Sequence, residues 1–183
     1  RHAHRSDIAF LDAFMDRSVT AASPVNAVAV LSRADEIGAG RLDAMQSSTK
    51  IAHRYAEDPQ LSALCAAVVP LAGLLAETGL TIREDEVASL RLLAATDDAT
   101  LDRMLMSVDQ FCEMSASELT VEIRRGLLDR LALFGVRLAV KEIREGRATT
   151  AATLGPILVD HSGLTDLRTL IAGHFMPRAR VLQ

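Results

Sequence analysis

A short apolar run, Val25-Asn26-Ala27-Val28-Ala29-Val30-Leu31, stops abruptly at Ser32-Arg33-Ala34-Asp35. It is too short for a helix, is rich in valine, and is followed by Gly38, Gly40 and a helical pattern, so it reads as a buried strand feeding a loop. A second run, Ala66 to Pro70, repeats the arrangement, with Ala72-Gly73 behind it and a short helical turn to Gly79. Helical patterns lie between and after the runs, from about Arg41 to Tyr55, stopped by Asp58-Pro59, and from Ile82 to Ala94. Strand–helix–strand–helix alternation implies parallel strands in an open α/β sheet. Ligands in such sheets bind at the carboxyl ends of the strands. Two strands are too few for an independent sheet, so further strands are expected upstream, outside this chain or in a partner.

After Asp97 no strand-like run remains. Leu101, Met104, Leu105, Val108, Phe111 and Cys112 form one apolar helical face. Ser115-Ala116-Ser117-Glu118 reads as a capping box opening a helix to Glu145, with a break near Phe134-Gly135. Two more helices, about Thr149 to His161 and Leu164 to Val181, flank Ser162-Gly163. Ser6 to Arg17 reads as a helix at the other end. The expected fold class is α/β followed by all-α, divided as 1–96 and 97–183.

Asp35 stands where an open α/β sheet binds ligands. A guanine edge offers two donors, N1–H and N2–H₂, and one carboxylate accepts both. Adenine has an acceptor at N1 and no amino group, and leaves that carboxylate unpaired. The stem of a long cation at the second position, here Arg33, lies along a base. A helix cap or loop carboxylate is the plainer reading of Asp35 taken alone. Ala72-Gly73 taken alone is a turn after a strand.

Composition narrows the classes. Aromatic residues are 3% of the chain and the net charge is −4, so neither base stacking nor a basic stripe recommends nucleic acid as a partner. The longest apolar stretch, Leu61 to Ala76, is interrupted by Pro70 and is too short to span a bilayer. Cys65 and Cys112 lie in apolar stretches and read as reduced, buried thiols of a cytosolic protein. His2 and His4 lack a third ligand nearby, so no metal site is assigned. His53, His161 and His174 read as partly exposed helix residues, and Glu84-Asp85-Glu86 as a solvated helix start. A nucleotide-independent α/β oxidoreductase fragment is disfavoured, and no dinucleotide Gly-x-Gly-x-x-Gly fingerprint occurs. The chain starts at Arg1 rather than methionine and reads as a piece of a longer protein.

The stretch from Asn26 to Met45 resembles the actinobacterial dynamin-like GTPases. Val68 to Ala76, Leu105 to Phe111, Leu133 to Arg137 and Ser162 to Arg168 fit the same family. The resemblance implies the carboxyl-terminal part of a P-loop GTPase domain followed by the start of a helical bundle. It makes Ser32-Arg33-Ala34-Asp35 the fourth GTPase motif, with arginine where lysine is usual. It makes Leu71-Ala72-Gly73 the fifth, with Ala72 in place of the common serine and a backbone N–H directed at the guanine carbonyl. It implies GTP or GDP and Mg²⁺ as cofactors of the parent, with none bound by this chain alone. It implies self-association or pairing with a related dynamin-like protein. It implies a cytoplasmic location, peripheral at the inner face of the plasma membrane through regions outside this chain. The phosphate-binding Gly-x-x-x-x-Gly-Lys-Ser/Thr is missing: no Gly-Lys dipeptide occurs. Asp-x-x-Gly occurs at Asp35 to Gly38 and at Asp160 to Gly163, and both read as coincidence. No catalytic residue is assigned. The competing expectation is a degenerate, non-hydrolysing helical adaptor that keeps the loop only as structure.

Overall fold

The computed structural model describes residues 27–114 and 118–174. Strand β1 (Val28–Ser32) pairs in parallel with β2 (Ala67–Leu71), Val28 opposite Ala67 and Ser32 opposite Leu71. Both strands therefore deliver their following loops to one end of the sheet. The connection carries a 3₁₀ turn (Ala34–Glu36), helix α1 (Ala44–Ala56) and a one-turn helix α2 (Pro59–Ser62). Asp58 caps α2 by accepting from Gln60 N–H at 2.8 Å, and Pro59 fits its first turn. The proline expected only to stop a helix therefore also begins one. Helix α1 starts at Ala44 rather than Arg41, and it packs on β2.

After β2 come α3 (Gly73–Thr81), α4 (Glu84–Ala94), α5 (Asp98–Met104), α6 (Val108–Glu113), α7 (Val121–Arg144), α8 (Ala151–His161) and α9 (Leu164–His174). The turn expected after Ala72-Gly73 is a full helix, and α4 starts two residues later than expected. There Arg83 is extended, and Glu86 reaches back to its N–H at 2.9 Å. The single helix expected from Leu101 to Cys112 is two helices. The chain leaves α5 at Leu105, and Ser107 caps α6 by accepting from Gln110 N–H at 3.1 Å. An apolar face at helical spacing survives that turn because Leu101, Met104, Leu105 and Phe111 all reach the same core. The α7 cap is Thr120, beyond where the Ser115 box would place the helix start; residues 115–117, like Ser6 to Arg17, lie outside the described residues.

Among the described residues no strand follows β2. The helices after Asp97 do not stand apart. Helix α7 packs on α3 and α4, and α8 packs on α3. One core joins Ala44, Ala72, Leu75 and Leu90 to Phe111, Leu131, Phe134, Leu154 and Leu158. Every residue of β2 is only half-buried, and β1 leaves Val30 exposed. That is unusual for parallel strands, which are ordinarily covered on both faces. Cys65 and Cys112 are buried free thiols.

Candidate functional site

Ser32 ends β1 at the surface, and the chain then turns sharply. Arg33 adopts a left-handed conformation, φ 56° and ψ 41°, and opens the 3₁₀ turn. Its guanidinium folds back on Glu36, with Nε donating to Oε1 at 2.7 Å and a second nitrogen on the same oxygen. Ala34 and Asp35 face inward, and Asp35 is 4% exposed. Burial holds its carboxyl above the ordinary aspartate value, and Glu36 adds to this; its own backbone N–H and Arg33 offset only part of the effect. With Arg33 engaged by Glu36, Asp35 is a buried carboxylate short of positive partners.

The turn is braced from α1. Fully buried Ser48 directs its hydroxyl at the carbonyls of Ala34, 2.6 Å away, and Ala44, 2.7 Å away. Sequence reasoning passed over Ser48. Its signal was the four-residue spacing of Ala44, Ser48 and Ala52, a small-residue stripe that lets α1 approach closely.

The register brings the second motif alongside. Ala72 is fully buried, and its N–H donates to the Ser162 carbonyl at 2.9 Å. Gly73, as first residue of α3, has no intrahelical acceptor for its N–H, and a side chain there would meet nothing within 4 Å. Ser162-Gly163 is thus more than a helix separator. Gly163 passes so close to the Pro70 carbonyl that a Cβ would lie 2.3 Å from it.

Asp35 lines a cavity of about 590 Å³. Leu74 of α3 and Val108 of α6 contribute to it, and its far wall is α7 at Leu128, Ala132 and Leu133. Ala72 and Gly73 are not among its lining residues. Helix α7 is kinked there: Ala132 has φ 50° and ψ −177°, a region otherwise reserved for glycine. The break falls two residues before the expected Phe134-Gly135. A larger cleft of about 720 Å³, lined by Arg41, Lys141 and Arg144, does not include Asp35.

Two expectations for charged residues resolve differently. His53 and His161 are exposed, whereas the helix start at Glu84 is only partly solvated. Glu86 is buried and accepts from Arg130 Nε at 2.8 Å, because α7 passes over it. Among the described residues no group of three or more His, Cys, Asp or Glu side chains is placed to hold a metal ion. No described helix is long and apolar enough to cross a membrane.

Over 158 residues, 85% of this chain, 39% of positions are identical to the Isoniazid-induced protein IniC of Mycobacterium tuberculosis, in strains CDC 1551 / Oshkosh and ATCC 25618 / H37Rv alike. This chain is similar to IniC. The matched region is 32% of IniC, so the chain spans about a third of the length of these relatives. The name IniC records induction by isoniazid and no chemistry. No protein-family model matches the chain, and no solved structure matches it.

Proposed function

We propose that this chain carries the base-recognition part of a guanine-nucleotide site, within a parent protein of the dynamin-like GTPase kind. The observation that supports this most is Asp35: a buried carboxylate at the carboxyl end of a parallel strand, its acid form favoured by burial. Two guanine donors would supply the positive edge it lacks. Ser32 and Arg33 shape the turn, and Ala72 and Gly73 open the neighbouring helix at the same end of the sheet. The amide best placed to meet the base carbonyl is that of Gly73, since the Ala72 amide is held by Ser162. Mg²⁺ would neutralise phosphate charge in the parent, at residues other than these. The half-exposed strands fit a sheet that continues outside the described residues. Self-association and contact with a membrane belong to the parent in this reading.

A helical module that keeps the loop without using nucleotide is the second reading. It is favoured by the Ala72 amide being already bonded and by the absence of a Gly-Lys dipeptide.

Asp35→Asn separates the two. It presents an NH₂ group to guanine's own donors, and GTP binding should weaken by about 2 kcal/mol or more. Xanthine nucleotide, with a carbonyl in place of the amino group, should gain. Titration of GTP and XTP against the intact parent and its Asp35→Asn variant reads this. Unchanged GTP affinity with no gain for XTP leaves the adaptor reading standing.

A further inference from the structure

The cleft between the chain leading into α1, α5 and the last turns of α7 takes no part in the guanine reading. It encloses about 720 Å³ and gathers four cations, Arg41, Arg137, Lys141 and Arg144. Two of them are pinned by backbone. Arg137 donates to the Ala39 carbonyl at 2.8 Å and also to the carbonyls of Gly40 and Leu105. Arg144 donates to the Ala94 carbonyl at 2.9 Å and to Asp98 at 2.6 Å. The other two are loosely held. Arg41 stands 3.4 Å from Asp43 with both side chains exposed, and Lys141 makes no hydrogen bond or ion pair among the described residues. Burial, and then the charge of Arg41, hold the Arg137 guanidinium below the ordinary arginine range. A half-buried cation that faces another cation is short of negative charge.

Cations are only part of this surface. Leu101, Leu105 and Val140 are its buried apolar lining, while Leu42 and Met106 line it 47% and 65% exposed. Exposed apolar side chains grouped beside unpaired charge mark interaction surfaces. Asp43, Asp102 and Glu145 also line the cleft. They would repel a dense polyanion such as a polyphosphate, and a flat anionic bilayer would not fill a concave surface. A polypeptide meets both conditions, because its carboxylates are single and spaced and apolar side chains stand between them.

We propose that this cleft docks an acidic segment of a partner protein, its carboxylates on Arg41 and Lys141 and an apolar side chain packed against Leu42 and Met106. Arg137 and Arg144 supply fixed positive charge behind the contact, and complementarity of this kind sets specificity and encounter rate.

The test uses the intact parent and labelled poly(Glu,Tyr), an acidic copolymer with apolar side chains, by fluorescence anisotropy at about 0.15 M salt. The copolymer should bind several-fold more tightly than poly-glutamate, which has the charge without the anchor. Lys50 is the only other lysine of this chain, is exposed on α1 and lies outside the cleft, so Lys50→Glu makes the same change in net charge as Lys141→Glu. Lys141→Glu should weaken copolymer binding about tenfold or more, and Lys50→Glu should leave it unchanged. Two milder variants guard against loss of the fold: Lys141→Met keeps a good helix former, and Met106→Ser changes an exposed side chain. Each should weaken binding several-fold. Equal losses in Lys50→Glu and Lys141→Glu, or poly-glutamate binding as tightly as the copolymer, would show attraction to net charge alone and overturn the proposal. No copolymer binding by the wild-type parent would overturn it too. Tighter, Lys141-dependent binding of inorganic pyrophosphate, or of phosphatidylserine vesicles, would assign the cleft to a phosphate or to a membrane instead.

Discussion

Asp35 carries a charge into surroundings that disfavour it, and that sets a pH signature. Its folded-state acid constant is raised, so only between the ordinary aspartate value and the raised one does the folded chain hold a proton that the unfolded chain has released. Stability from this group is therefore full below the ordinary aspartate value and declines as pH rises through the raised one. Asp35→Asn, isosteric and neutral, should unfold at a higher temperature than wild type at pH 7, and the gap should close on acidification. Glu142 has the opposite sign. Arg147 grips it with two nitrogens, at 2.5 and 2.7 Å, and holds its carboxyl below the usual range. Its contribution is present above the ordinary glutamate value and is lost as pH falls. Melting curves of wild type and Asp35→Asn between about pH 3 and 8 separate the two contributions. Ser48→Ala should act on both fold and site. It strips the buried Ala34 carbonyl of its donor, for about 1–3 kcal/mol, and frees the turn that presents Asp35. A lower denaturant midpoint of this chain, together with weaker GDP binding by the intact parent carrying the same substitution, is the expected result; a lower midpoint alone would reduce Ser48 to a packing role.

Helices α3 and α8 cross where neither has a side chain. A Cβ on Gly79 would stand 2.8 Å from the Gly155 carbonyl and 2.9 Å from Val159 N, and one on Gly155 would stand 2.6 Å from the Gly79 carbonyl. Backbone cannot move aside as a flexible side chain does, so the helices must part. Gly79→Ala should cost about 1–3 kcal/mol, the range for overpacking. A Cβ added to Gly126 of α7 would meet nothing within 4 Å, and Gly126→Ala should instead add about 0.5–1 kcal/mol through helix propensity. Chemical denaturation of the two variants checks the opposite signs. The α7 kink belongs to the same scale. Ala132 is no helix breaker by type, so its left-handed backbone depends on Thr78, Gly40 and Arg137 around it.

The α/β part and the helices after Asp97 share their interior. Leu75, Val87, Leu90 and Leu93 belong to one core with Leu131, Phe134, Leu154 and Leu158, and Arg144 of α7 donates to the Ala94 carbonyl at 2.9 Å. Heating should therefore give one cooperative transition for near-ultraviolet and far-ultraviolet signals alike. Two separated transitions would show the halves unfolding as independent units. The sheet is the weakly covered part, and its backbone amides should exchange faster than those of α3 and α7.

Local chemistry was enough to read both strands, the alternation with helices, the loss of strands after Asp97 and the placing of Asp35 at a strand's carboxyl end. Each depends on side-chain periodicity or on turn-forming residues acting over a few positions. Other features were settled by contacts between distant segments. The apolar face from Leu101 to Cys112 looks continuous because both α5 and α6 feed one core, and only the folded chain shows the turn between them. Glu86 reads as solvated until α7 covers it with Arg130. Ser48 reads as a neutral helix residue until its hydroxyl meets Ala34, fourteen positions away. The wall of the cavity comes from a kink that no residue type announces, because long-range hydrogen bonds and close backbone contact, rather than local propensity, set the conformation of Ala132.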